Sequence, residues 1–71
     1  MKRDDALALS RAIGKVVALS VSPPFPSALV GTVAGTDILG RVILTDVTTP
    51  TGKLGRVSVP MADVRAWTDV S

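Results

Sequence analysis

The stretch Ala28-Leu-Val-Gly31-Thr-Val-Ala-Gly35-Thr-Asp37-Ile-Leu-Gly40-Arg41-Val-Ile-Leu44-Thr-Asp46-Val-Thr48 carries most of the structural information in this 71-residue chain. Its β-branched and aliphatic residues form two runs separated by Asp37 to Gly40, a short segment rich in turn formers. We read a strand over 28–36, a turn over 37–40 and a strand over 41–48, the latter alternating Val42 and Leu44 against Arg41 and Thr45. Gly31 and Gly35 inside the first of these runs permit sharp coiling or close backbone approach.

The same texture extends in both directions. Residues 15–22 read as a preceding strand, followed by the stiff connection Pro23-Pro-Phe25-Pro-Ser27, which cannot pair as a strand interior. Downstream, Thr49-Pro50-Thr51-Gly52 is a strong turn signal, 54–59 a fourth strand, and 64–68 a short fifth one beyond the break at Pro60. Before the first strand, Asp4 and Asp5 are candidate N-caps for a helix over about 4–13, with Leu9, Ala12 and Ile13 on one face and Gly14 as terminator. One helix and five short strands, without helix–strand alternation, predict a mainly β domain: a strongly bent, partly open five-stranded barrel spanning 1–71.

Composition narrows the chemistry. The chain has no Cys, His, Glu, Tyr, Asn or Gln, which removes thiol chemistry, disulfides, Cys or His metal sites and histidine bases. With no base ready to activate a serine or lysine, a non-enzymatic role without cofactor or metal is expected. Eight Lys or Arg against six Asp leave a net charge of only +2. No apolar run approaches the roughly 20 residues a membrane span requires, and the charged start Met1-Lys-Arg3-Asp-Asp5 differs from a signal peptide, so a cytoplasmic protein without membrane partners is expected.

A domain of this size buries about 60% of the surface its unfolded chain exposes. Eleven valines against one Trp and one Phe supply many small apolar faces, more than one small core needs. Some of that surface is therefore expected at an interface between copies, where the edges of an open barrel also find partners.

The order of elements and two ungapped segments resemble the Sm-like family of small, SH3-like β-barrels. Residues 31–46 are similar to the first Sm motif: a Gly, an apolar pair, an aromatic-Asp step whose aromatic is here Thr36, a Met-Asn step, then an aliphatic run ending in an acid. Leu54-Gly55-Arg-Val57-Ser-Val59-Pro60-Met61-Ala62-Asp63-Val64 resembles the second, and Ser10-Arg-Ala-Ile-Gly14-Lys-Val resembles the junction of helix and first strand. The resemblance covers about residues 4–68 and implies a homo-oligomeric ring that binds RNA.

It also implies a site. Asp37 matches the Asp of the family's uridine pocket, Leu39 falls at its stacking position, and Arg41 replaces its Asn. Pro60 and Met61 stand where the family has Arg-Gly, and Asp63 occupies a polar position of the second motif. Leu39 offers no aromatic face and Pro60 no cation, so the implied binding uses mainly phosphate contacts with weak base selectivity.

Several residues carry two readings. Arg41 is either a turn ion pair with Asp37 or a pore-facing contact repeated around a ring. Lys2, Arg3 and Arg11 form either a solvated helix face, diluted by Asp4 and Asp5, or a set of phosphate contacts. Lys53 and Arg56 flank the fourth strand as a candidate outer basic rim. Trp67 suits core or interface packing better than base stacking. Phe25 either projects as a contact for a partner or folds back as a lid on the barrel. The alternatives to an RNA-binding ring are a ring that serves as a protein-interaction module and a monomeric SH3-like barrel.

Overall fold

The computed structural model describes residues 1–71. Its elements run α1 (Arg3–Ser10), β1 (Val16–Val21), β2 (Ala28–Thr36), β3 (Arg41–Thr49), β4 (Gly52–Pro60), a 3₁₀ turn (Met61–Asp63) and β5 (Val64–Asp69). All pairings are antiparallel, in the single sheet β4-β3-β2-β1-β5. The expected mainly β, five-stranded open architecture with an N-terminal helix is the observed one.

Alternation sets which face is inside. Val17, Leu19 and Val21 of β1, Leu29 and Val33 of β2, Val42, Leu44 and Val47 of β3, Val59 of β4 and Val64 of β5 join Leu9 and Ala12 in one buried cluster. A flat sheet of five strands would hold its edges about 19 Å apart. Sharing one core across all five therefore requires the sheet to curl, and three features produce the curl.

Pairing registers shift within the β1–β5, β2–β3 and β3–β4 ladders. Gly31 lets β2 press against β3: a Cβ there would sit 2.9 Å from Val47 Cγ2 and 3.1 Å from the Thr45 carbonyl oxygen. In β3, Asp46 adopts φ 52°, the left-handed region that a short polar side chain tolerates. Strict alternation from Val42 and Leu44 would turn Asp46 inward. The irregularity leaves Asp46 exposed and buries Val47 instead.

The boundaries differ from expectation in definite ways. The helix ends at Ser10, not near 13, because Arg11 N–H bonds to the Leu7 and Ala8 carbonyls and Gly14, at φ +83°, donates to the Val33 carbonyl at 2.8 Å. Ile13 therefore leaves the helix face assigned to it and is 64% exposed. Lys2, not an aspartate, holds the N-cap position; Asp4 and Asp5 lie in the first turn, where their charges complement the helix dipole.

The third turn contracts to Pro50 and Thr51, since Thr49 pairs with Gly52 and Thr48 with Lys53. The Thr49 hydroxyl, 3.0 Å from the Gly52 carbonyl and 3.2 Å from Thr51 N–H, closes it. Trp67 fastens the helix to the sheet: its indole N–H donates to the Asp5 carbonyl at 2.9 Å while its ring packs on the core. No helix is long and apolar enough to cross a membrane.

Candidate nucleic-acid interface

The turn between β2 and β3 is organised by one carboxylate. Asp37 Oδ1 accepts from Leu39 N–H at 2.9 Å and Arg41 N–H at 3.0 Å, and Oδ2 accepts from Arg41 Nε at 2.7 Å. Asp37 N–H donates to the Arg41 carbonyl, Gly40 N–H donates to the Asp37 carbonyl, and Gly40 takes φ +77°. Asp plus Gly at this spacing is turn chemistry: the side chain mimics a backbone acceptor and the glycine supplies the left-handed residue. The Arg41 backbone N–H, then its guanidinium and the Leu39 N–H, together hold the Asp37 carboxyl below the usual aspartate value against opposing desolvation.

The second segment arrives beside it. Arg41 pairs with Pro60 at the end of β4, and Met61 N–H donates to the Gly40 carbonyl at 3.0 Å. At its other end the 3₁₀ turn is tied to the residue just after β1, where Ser22 N–H donates to the Asp63 carbonyl at 2.9 Å. Asp37, Leu39, Arg41, Met61 and Asp63, 26 positions apart at their extremes in sequence, thus lie on two turns joined by a backbone hydrogen bond. Met61 and Asp63 are half-buried, Met61 against the core. Leu39 is 72% exposed and Ile38, at the tip, wholly so. The sequence signal for Ile38 is an aliphatic residue inside an Asp–Gly turn.

The other candidate cations stand elsewhere. Lys2, Arg3 and Arg11 are exposed at the two ends of α1, and Lys53 and Arg56 are exposed on β4. Phe25 is half-buried against the core, so the lid describes its placement; the connection holding it is closed by Val21 N–H to the Ser27 carbonyl. The Arg41–Asp37 ion pair forms as one of the two readings had it, with the arginine side chain still 43% exposed.

No protein-family model and no curated protein matches the chain. Solved structures do. An Sm-like protein from Pyrobaculum aerophilum superposes with a TM-score of 0.73 at 16% identity over 93% of this chain, which spans about half (51%) of that one. The Sm protein of Pyrococcus abyssii, solved in complex with a uridine heptamer, gives 0.71 at 20% identity, covering 99% of this chain and 100% of that one. A heptameric archaeal Sm protein gives 0.68 at 21% identity over 92% and 98% of the two chains. Helix, strand order and the two joined turns place this chain in the Sm-like fold.

Proposed function

We propose that the chain assembles into a homo-oligomeric ring that binds RNA on the rim formed by its 37–41 and 60–63 turns. The observation that carries this reading is the Met61–Gly40 hydrogen bond, which unites the two segments that resemble the family's RNA-binding motifs. The sheet supports the assembly. Its order leaves β4 and β5 as opposite edges, and a heterologous pairing of one edge with the other can repeat from copy to copy until it closes. The similar structures support it further, since one is heptameric and another holds a uridine heptamer.

Affinity in this reading comes from cations repeated around the ring: Arg41 on the rim, and Lys2, Arg3 and Arg11 on the helix surface. Leu39 and Ile38 give a base only an aliphatic contact, so stacking contributes little selectivity. Fluorescence anisotropy with labelled single-stranded RNA tests the proposal. Affinity should fall steeply with salt, and Arg41→Ala should weaken binding. Absence of binding at low salt, or indifference to Arg41→Ala, overturns it.

One observation favours a second reading, a ring serving as a protein-interaction module: Ile38 and Leu39 expose two adjacent aliphatic side chains at the rim. An intact oligomer that ignores RNA in the same titration would support that reading.

A further inference from the structure

Arg41 is held in one orientation with part of its donor set unused. Its backbone N–H and its Nε both bond to the Asp37 carboxylate, at 3.0 and 2.7 Å, while neither terminal nitrogen has a partner within the chain. The carboxylate is itself engaged by three N–H donors of the turn, so it orients the guanidinium and is not free to take a ligand. What remains is the planar two-nitrogen end of the fork, on a side chain 43% exposed, following a turn that also exposes the aliphatic Ile38 and Leu39.

Such an end is donor-only and geometrically fixed. Uracil does not suit it, because the N3–H donor lies between the O4 and O2 acceptors and would face a donor. Adenine sets an amino donor beside N7. Guanine places two acceptors, O6 and N7, side by side, the pattern a guanidinium fork matches with two parallel hydrogen bonds. Cytosine also has an adjacent acceptor pair, N3 and O2, but a single ring, and apolar contact with Ile38 and Leu39 grows with the area covered.

We infer that the Arg41 fork, positioned by Asp37, reads the O6/N7 edge of guanine, so that the rim takes guanine in single-stranded RNA in preference to uracil. The inference rests on the RNA-binding reading and adds the class of base. Arg41 addresses a base edge, and phosphate contacts fall to the other cations. Selectivity then comes from in-plane hydrogen bonds and needs no aromatic platform.

The test is anisotropy at one salt concentration with labelled RNA heptamers: alternating adenine–guanine, adenine only, cytidine only, uridine only, and the alternating sequence carrying 7-deazaguanine, which lacks N7. The alternating heptamer should bind about 10-fold tighter than the adenine-only and uridine-only ones, and 7-deazaguanine should erase the advantage. Arg41→Lys, which keeps the charge and loses the fork, should bring the guanine-containing and adenine-only affinities together. Equal affinity for all heptamers, a preference for uridine or cytidine, or a guanine preference that survives 7-deazaguanine overturns the inference. Equal, salt-dependent binding would leave the RNA-binding reading intact, whereas no binding to any heptamer would remove both.

Discussion

Asp37 shows how much of a site one side chain can organise. Its carboxylate satisfies two backbone donors of a four-residue turn and pins an arginine that would otherwise sample many rotamers. These bonds favour the ionised form, so the folded-state pKa lies below that of the unfolded chain. The stabilisation is therefore fully present above the unfolded aspartate value, near 3.9, and is lost as pH falls through the folded one. A carbon-detected NMR titration should find the Asp37 carboxyl titrating below a free aspartate, and Asp37→Asn should return the Arg41 side chain to rotamer averaging. An Asp37 that titrates at the ordinary value would contradict the turn geometry. Gly31 makes a different demand, for space: Gly31→Ala should cost about 1–3 kcal/mol in urea unfolding, because a Cβ would collide with Val47 and the Thr45 carbonyl. The Asp37–Arg41 partnership was legible in the sequence because turn chemistry is local. The full exposure of Ile38 was not, since it depends on which side of the turn the second motif arrives.

At the scale of elements, tertiary bonds moved the boundaries that propensity alone suggested. The helix stops three residues early because Gly14 is bonded to β2, a contact invisible to any local pattern. What keeps so short a helix in place is its attachment, Leu9 buried in the core and the Trp67 indole on the Asp5 carbonyl. Leu9→Ala should destabilise the fold by about 2–5 kcal/mol. Trp67→Phe should cost about 1 kcal/mol and speed amide exchange in α1 more than in β3; uniform acceleration would deny Trp67 that local role. In β3, alternation was readable as far as Leu44 and then failed at Asp46, where an irregular residue keeps a charge out of the core. Asp46→Gly should leave stability unchanged or raise it by up to about 1 kcal/mol, since glycine adopts φ 52° without strain. A clear loss would mean that the Asp46 side chain contributes more than its backbone geometry suggests.

For the whole molecule, the bent sheet gathers one shared core and leaves two strand edges that the proposed ring would pair. The core consists of twelve buried hydrophobic residues, only one of them from β4, and Leu54 on that edge remains 49% exposed. An edge strand that long, with an aliphatic side chain half in water, invites pairing with the free edge of β5 on another copy. Leu54→Asp should accordingly shift the protein toward smaller species while leaving its circular dichroism spectrum unchanged. The fold was legible from the order of turn signals and the two ungapped segments; the meeting of the two motifs at the rim required the curl of the sheet, which pairing registers set and sequence spacing does not reveal. Sedimentation equilibrium of the isolated protein tests the ring most directly: the account predicts one closed species of several times the 7.3 kDa chain mass, and a single 7.3 kDa species at all concentrations would contradict it.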